Sequence, residues 1–332
     1  MAPGTAKQMV KDLFRGKGLT SIPFIPLIST FAAKVAQVSV RELLTNPTRL
    51  ANTLQTTQRL LNTDAVVCLY DPSLEAEACG CELDWSAEDR LPEVVTHPLA
   101  RGGSLDLDAV LQRGRVPLAL EVFHRLEVVV GRTVGMVAVV TGPVTLGSRL
   151  RGPDFRRELN EEPAAAKGTL EAAGRVVIAL AQRYCDLKAD AVIVADPDLA
   201  ALGPRALAAV ADVYRSIANV VRYFEAGLVI WPGEAPLTDE LLQLESDAML
   251  LGGTDISDMR QRLAMAGRGL GTALGAELFT LAKDQARAAC TDLLRQVSRR
   301  GFFVSTAGEV PFQAPVETVL ELARTVKSIR MT

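Results

Sequence analysis

Short apolar runs rich in β-branched residues alternate along the chain with longer stretches of helical period. The runs that predict strands are 24–28 (FIPLI), 65–70 (AVVCLY), 136–141 (MVAVVT), 191–195 (AVIVA), 219–224 (NVVRYF), 248–253 (AMLLGG), 271–275 (GTALG) and 302–306 (FFVST). The stretches that predict helices are about 40–61, 105–130, 164–187, 204–217, 238–246, 256–268, 277–299 and 315–328. This alternation is typical of parallel βα units.

Eight strands, each followed by a helix, predict an α/β fold of the (β/α)₈ TIM-barrel type. A Rossmann-like pair of domains is the alternative, but no G-x-G-x-x-G follows the first strand and no G-x-x-x-x-G-K-[ST] occurs. We therefore expect a single domain over 1–332, with an N-terminal helical arm at 1–20. The charged segment 149–163 follows the third strand and is expected to form a lid-like insertion over the barrel mouth.

Composition narrows the class of protein and its location. Of the 332 residues, 48% are hydrophobic and 23% are charged, with a net charge of −3, so no basic field favours nucleic acid. Five cysteines without a C-x-x-C pair argue against a disulfide framework. There is no signal-peptide core and no apolar run of membrane-spanning length. These features predict a cytoplasmic protein that contacts no membrane.

Several phrases resemble the uroporphyrinogen decarboxylase superfamily, and in order they cover nearly the whole chain. They are 70–85 (YDPSLEAEACGCELDW), 141–152 (TGPVTLGSRLRG), 190–205 (DAVIVADPDLAALGPR) and 301–319 (GFFVSTAGEVPFQAPVETV). The resemblance implies a TIM barrel. It also implies either a porphyrinogen decarboxylase or a member of the branch of cobalamin-linked methyltransferases, some of which carry zinc.

The chain departs from the decarboxylases at most of their functional positions. Their active-site Asp is matched by Asp71, but their Arg-rich loop is replaced by 27–37 (LISTFAAKVAQ), which contains no Arg. Their third-strand Tyr aligns with Arg149, and their last-loop His falls near Ala307. A substrate with eight carboxylates would meet few cations here, which argues against uroporphyrinogen as the substrate.

The methyltransferase branch is matched by the EAEA sequence at 75–78, but its zinc ligands, a His-x-Cys at the fifth strand and a Cys after the eighth, are absent. The aligned stretches RYFEAG and STAGEVP offer only Glu225 and Glu309. We therefore expect no zinc, and a metal at this site would have to be an oxygen-liking ion such as Mg²⁺ or Mn²⁺.

Residues at the carboxyl ends of barrel strands face the active site. At these predicted positions the chain is acidic, with Asp71, Asp196, Glu225, Asp255 and Glu309. Neighbouring carboxylates force their pKa values apart, which suits a general acid, a divalent metal or a cationic substrate. The alternative is that some of them only cap helices, as the sequence around Asp196 and Asp255 allows.

The cationic candidates are fewer. Arg149 could present a bidentate fork to a carboxylate or phosphate, and Lys34 could anchor an anion or lie on the surface. His97 and His124 lie away from the strand ends, so no Ser/His/Asp or Cys/His mechanism is supported.

The leading hypothesis is a zinc-independent methyltransferase with no tightly bound cofactor. In it, Asp71, Glu225 and Glu309 protonate or position a small methylated substrate, and Arg149, Lys34 and Asp196 bind it. Cobalamin would be carried by a partner corrinoid protein that docks at the mouth. The alternatives are a cofactor-free decarboxylase, in which Asp71 stabilises a protonated ring and Arg149 holds the carboxylate, and an inactive binding barrel. A homodimer is one assembly that the sequence leaves open.

Overall fold

The protein is described by a computed structural model that covers residues 5–19, 21–100, 105–253, 256–295 and 301–329. Seven parallel strands form one sheet in the order β1-β4-β5-β6-β7-β8-β9. Their bounds are β1 Ala65–Val67, β4 Gly135–Thr141, β5 Ala191–Ala195, β6 Gly227–Trp231, β7 Ala248–Leu251, β8 Gly269–Leu274 and β9 Phe302–Thr306. A separate antiparallel hairpin pairs β2 Leu83–Asp84 with β3 Glu93–Val94.

An extended segment, 22–28, takes the eighth strand position and joins the two edges of the sheet. Isolated parallel bridges link it to the β9 side through Phe24 with Val304 and Leu27 with Glu309. On the other side, the N–H of Asp64, just before β1, donates to the carbonyl of Phe24 at 3.1 Å. The expected (β/α)₈ TIM-barrel type is confirmed, with one strand reduced to bridges.

Helices surround this sheet, and several begin at favourable sequence signals. The helices of the described residues are α1 Ala6–Phe14, α2 Ser29–Ala36, α3 Val40–Leu44, α4 Pro47–Leu61, α5 Leu74–Ala78, α6 Val116–Val130, α7 Pro143–Arg151, α8 Phe155–Glu161, α9 Pro163–Asp186, α10 Pro204–Tyr223, α11 Ile256–Met265, α12 Lys283–Leu294 and α13 Val316–Ser328. Asn46 caps α4 by accepting the N–H of Arg49, and Pro opens α4, α7, α9 and α10. None of these helices is long and apolar enough to cross a membrane.

The strands divide their side chains between two cores. One set points between sheet and helices, and the other fills the barrel interior with residues such as Val139, Ile193 and Phe303. Helix α1 closes the amino-terminal end of the barrel, where Val10 and Leu13 are buried. A Cβ built on Gly227 would lie 2.3 Å from Cγ of Phe14, so this end is tightly packed. The open end is therefore the one at which the strands finish.

One predicted strand is wrong. Residues 219–224 form the last turns of α10 instead, because Tyr214, Ile217 and Val221 continue the buried stripe of that helix at helical spacing. The strand nearest to this position is β6, Gly227–Trp231. The fifth strand therefore begins at Gly227, after the predicted run. Glu225, which was predicted to follow this strand, precedes it instead.

The segment 149–163 consists of the end of α7, all of α8 and the first residue of α9. Three of its side chains, Leu150, Phe155 and Leu159, are fully buried, and a Cβ on Gly147 would lie 2.5 Å from Cε1 of Phe155. The segment is therefore anchored to the barrel by its apolar face. Its role as a lid stays a prediction, as does the extent of the N-terminal arm.

Candidate active site at the carboxyl end of the barrel

Asp71 follows β1 at the open end of the barrel, where its carboxylate is enclosed. Oδ2 lies 2.5 Å from Nη1 of Arg115, and Oδ1 accepts hydrogen bonds from the N–H and hydroxyl of Ser73 at 2.8 and 2.7 Å. The Asp71 and Arg115 side chains are 0% and 7% exposed. A carboxylate so covered, and held by a permanent cation and two further donors, has a fixed position.

Arg115 holds more of this region together and was missed by the sequence analysis. Its Nε donates to Glu77 at 2.7 Å, and its guanidinium carbon lies 4.7 Å from the centre of the Trp85 ring. Arg115 directly precedes α6, in a polar turn where an arginine is unremarkable. Only the approach of α5 and of the β2–β3 hairpin buries it, so no local signal could have identified it.

The first turn of α5 brings a second buried acid to the same area. The carboxyl group of Glu75 accepts the N–H of Thr141 at 2.8 Å and its hydroxyl at 2.6 Å. Burial raises the pKa of Glu75, an effect that these hydrogen bonds oppose. Glu75 therefore ties α5 to the end of β4.

Glu309 lies in the loop after β9 and is the acid best suited to chemistry. It keeps part of its surface accessible, and its Oε1 accepts the N–H of Thr30 at 2.6 Å. Loss of water around the carboxyl group raises its pKa to about 8; hydrogen bonds from Thr30 lower it, and the charge of Asp71 adds to the rise. At neutral pH, Glu309 therefore holds a proton for most of the time.

Two aromatic side chains form the wall beside these acids. The rings of Tyr70 and Trp231 meet edge to face with centroids 5.9 Å apart. Burial raises the pKa of Tyr70, the negative charge of Glu309 adds to this rise, and the guanidinium of Arg149 opposes it. Tyr70 therefore lies within electrostatic reach of both Glu309 and Arg149.

Arg149 lies in the last turn of α7. Its carbonyl oxygen is 2.6 Å from Nδ1 of His97 and 3.7 Å from Sγ of Cys81, so its backbone is fixed. Its Nε is buried and has no hydrogen-bond partner within the described part of the chain. The guanidinium also forms no ion pair there, in contrast to Arg151, which pairs with Glu158 at 2.7 Å.

Asp196, which the sequence predicts to bind substrate, has its carboxylate surrounded by donors from the protein itself. The side chain is fully buried after β5 and accepts hydrogen bonds from Val144 N–H, from the N–H and hydroxyl of Thr145, and from the Tyr214 hydroxyl. Burial raises its pKa to about 6, against the effect of these donors. Asp196 caps α7, which precedes it in the chain, because those first-turn N–H groups have no partner within the helix.

Lys34 and Glu225 are also placed differently from the prediction. Nζ of Lys34 donates to the backbone carbonyls of Gln313 and Ala314 at 3.1 and 2.8 Å, so it ties α2 to the last loop. Glu225 precedes β6 and lies at the closed end of the barrel, where its 83% exposed side chain is 3.4 Å from Arg15. A residue at the start of a strand cannot reach a site at the end of the strands, so Glu225 is not part of the mouth. Asp255 lies outside the described residues.

The strand-end stretches do not provide the donors that zinc requires. Zinc in proteins prefers thiolate and imidazole ligands, but β6 is followed by Pro232 and Gly233, and β9 by Ala307 and Gly308. Among the described residues no three His, Cys, Asp or Glu side chains are grouped so that they could hold a metal ion. Burial also raises the pKa of the Cys79 and Cys81 thiols, to about 12 and about 11. The residues present at the mouth do not fit a zinc ion.

Comparisons with known proteins show that the chain matches one family and is similar to methyltransferases. The sequence profile of the uroporphyrinogen decarboxylase (URO-D) family matches residues 5–329. Methylcobamide:CoM methyltransferase MtaA of Methanosarcina barkeri is 26% identical over 203 residues, which are 59% of this chain and 60% of that protein. A methylated-thiol–coenzyme M methyltransferase of Methanosarcina mazei is 30% identical over 132 residues, covering 39% of this chain and 35% of that protein.

A solved structure shares the fold over almost its full length. It is a methyltransferase from Methanosarcina mazei that superimposes with a TM-score of 0.84 at 20% identity and covers 98% of both chains. The curated relatives, in contrast, are matched over only about three fifths of their length or less.

Proposed function

The chain belongs to the uroporphyrinogen decarboxylase family, and we propose that it is a zinc-independent methyltransferase that moves a methyl group between a small methylated substrate and a corrinoid carried by a partner protein. The names of the curated relatives support methyl transfer as the reaction class. The observation that carries the proposal is the position of Glu309 after β9 at the barrel mouth, where its Oε1 accepts the N–H of Thr30 and burial raises the pKa of its carboxyl group to about 8.

Methyl transfer from oxygen, nitrogen or sulfur requires that the leaving atom does not depart as a strong base. A proton donor whose pKa is near the working pH meets this need and contributes about 10²- to 10⁴-fold in rate. Glu309 has a pKa of about 8 and retains access to the mouth. Its hydrogen bond from Thr30 N–H fixes the position of the carboxyl group.

The other mouth residues position the reactants. Asp71, locked by Arg115, contributes to the high pKa of Glu309, while Tyr70 and Trp231 form an apolar wall that limits water. The guanidinium of Arg149, which has no ion-pair partner among the described residues, would hold an anionic group of the substrate. The corrinoid, when its carrier is docked, supplies the cobalt centre that gives or takes the methyl group.

The test mixes the protein, cob(I)alamin and candidate methyl ethers, methylamines and methylated thiols, and follows methylcobalamin absorbance. Glu309→Gln is expected to slow the reaction by about 10²- to 10⁴-fold. Because the protonated carboxyl is the active form, the wild-type rate should fall as the pH rises through about 8, and the variant should lose this fall. Glu225→Gln, the same change at the closed end, is the matched control and should retain the wild-type rate and pH profile. Equal rates for Glu309→Gln and the wild type would refute the assignment.

A second function, cofactor-free decarboxylation, is favoured by Arg149 alone. Its guanidinium forms no ion pair with the residues that the structure describes, which suits a substrate carboxylate. Its signature would be CO₂ released from an acid substrate without cobalamin, and loss of that release in Arg149→Met. If neither methyl transfer nor CO₂ release occurs with any candidate, the inactive binding barrel becomes the better description.

A further inference from the structure

Tyr70 carries a hydroxyl group at the barrel mouth that no contact of the fold occupies. Its ring is one of the side chains that fill the barrel interior, and the residue is only 8% exposed. The hydroxyl forms no hydrogen bond with the residues that the structure describes, and its oxygen is not one of their fully buried atoms without a partner. The small surface that Tyr70 keeps therefore includes this oxygen, which is accessible to a molecule in the mouth.

The rest of Tyr70 is held firmly. The Ser29 hydroxyl accepts the N–H of Tyr70 and donates to its carbonyl oxygen, both at 3.0 Å. The ring meets Trp231 edge to face at the end of β6. Burial holds the pKa of the phenol above its usual value, so the hydroxyl keeps its proton at neutral pH. Tyr70 thus presents a fixed hydrogen-bond donor.

Glu309 and Tyr70 offer donors to the same part of the mouth. The carboxyl group of Glu309 holds a proton for most of the time at neutral pH, and its charge, when present, acts on the Tyr70 hydroxyl. The oxygens of the neighbouring acids are occupied: those of Asp71 by Arg115 and Ser73, and those of Glu75 by Thr141. A substrate atom between Glu309 and Tyr70 therefore has to accept hydrogen bonds.

Oxygen, sulfur and nitrogen leaving atoms differ in what they need from such donors. An alkoxide is about as basic as hydroxide, whose conjugate acid has a pKa of about 15.7, so its departure depends on a proton. A thiol has a pKa of about 8.5, so a thiolate can depart unprotonated, and a thioether sulfur is a weak acceptor. A methylated ammonium nitrogen has no lone pair to accept a hydrogen bond. Oxygen alone needs the proton and has two lone pairs for two donors.

We propose that the mouth takes a methyl ether as substrate, and that the Tyr70 hydroxyl selects it by donating to the ether oxygen beside Glu309. This inference rests on the proposed methyl transfer and narrows its substrate class. In the step, the methyl C–O bond breaks and its electron pair stays on the oxygen, which takes the proton of Glu309 and becomes an alcohol. The methyl group passes to the reduced corrinoid, which supplies the electron pair of the new bond, and Glu309 regains a proton from water.

Matched ethers and thioethers test the choice of leaving atom. Methoxyethanol and methylthioethanol differ in one atom, as do anisole and thioanisole, and each is mixed with the protein and cob(I)alamin while methylcobalamin absorbance is followed. Tyr70→Phe removes the hydroxyl and keeps the ring. Because the ether oxygen gains negative charge only as the bond breaks, the variant should lower kcat for the ethers about 10- to 100-fold and change KM less than about threefold. For the thioethers, kcat should change less than about threefold.

Tyr184→Phe is the matched control. The Tyr184 hydroxyl also has no partner in the described part of the chain, but it is fully buried, and the ring packs against Phe123 outside the barrel interior. This variant should match the wild type with every compound. Neither substitution removes a hydrogen bond between described residues, so both variants should melt at the wild-type temperature.

Binding provides a readout that does not depend on the reaction. Isothermal titration calorimetry of the same four compounds, without any corrinoid, measures their affinities for the wild type and both variants. One hydrogen bond to a neutral oxygen is expected to be lost in Tyr70→Phe, so its ether binding should weaken about fivefold while thioether binding stays unchanged.

The outcomes separate this inference from the proposed function. Methyl transfer from thioethers but not from ethers, or an equal loss for both in Tyr70→Phe, would overturn the inference and leave the proposed function standing. Ether binding that depends on Tyr70, without methyl transfer from any compound, would support the oxygen site and count against methyl transfer. Neither binding nor transfer with any of the four compounds would overturn the inference.

Discussion

Replacing Arg115 by methionine should destabilise the fold strongly. Methionine retains an unbranched apolar stem but removes the guanidinium, which contacts Asp71 at 2.5 Å, Glu77 at 2.7 Å and the Ser73 hydroxyl at 3.1 Å. After the substitution, Asp71 remains buried and accepts hydrogen bonds only from Ser73. Glu77 is partly exposed and can regain water.

The magnitude follows from the burial of the pair. Removing one partner of a buried ion pair costs about 3 to 5 kcal/mol, because the other charge is left uncompensated. Since Asp71 keeps two hydrogen bonds, we expect the free energy of unfolding of Arg115→Met to fall by about 3 kcal/mol, near the lower end of this range. In the double variant Asp71→Asn/Arg115→Met the isolated charge is gone. Its loss of unfolding free energy should therefore be smaller than the sum of the two single losses by about 1 to 3 kcal/mol.

Arg125→Met is the matched control, because Arg125 lies in α6, which directly follows Arg115, and forms an exposed i,i+4 pair with Glu121. Such pairs contribute about 0.3 to 0.5 kcal/mol. Urea unfolding, followed by tryptophan fluorescence and circular dichroism, gives the free energies of unfolding. The reasoning is refuted if Arg115→Met loses no more stability than Arg125→Met. It is also refuted if the Asp71→Asn and Arg115→Met losses add within about 0.5 kcal/mol, because the Asp71–Arg115 ion pair would then not couple the two residues.

Two further predictions concern the metal and the closed end of the barrel. Elemental analysis of protein purified without chelator should find far less than one zinc per chain, because the strand-end stretches offer neither thiolate nor imidazole; stoichiometric zinc would contradict this. Gly227→Ala should lower the thermal stability by about 1 to 3 kcal/mol, since its Cβ would lie 2.3 Å from Phe14, whereas Gly168→Ala in α9 meets no atom within 4 Å and should be neutral or stabilising. A Gly227→Ala protein that melts at the wild-type temperature would show that α1 can shift away from the new Cβ without loss of stability.

Local periodicity was sufficient to predict most of the barrel. The runs at 191–195 and 302–306 are strands with the predicted bounds, and Asp71 and Glu309 follow their strands at the open end. These features depend on residues close in sequence, since a strand alternates its side chains every second residue and a helix repeats every 3.6. The same reasoning failed at 219–224, where β-branched and aromatic residues also satisfy the buried stripe of α10.

Tertiary structure alone decided the surroundings of each acid. Asp196 and Asp71 are buried and hydrogen-bonded because Tyr214 and Arg115, 18 and 44 residues away in sequence, supply their partners. Glu309 received a pKa of about 8 because closure of the barrel removes water around it and places Asp71 nearby. The sequence specifies that a carboxyl group is present, but its protonation depends on distance and solvent exclusion, which exist only once the two edges of the sheet have met.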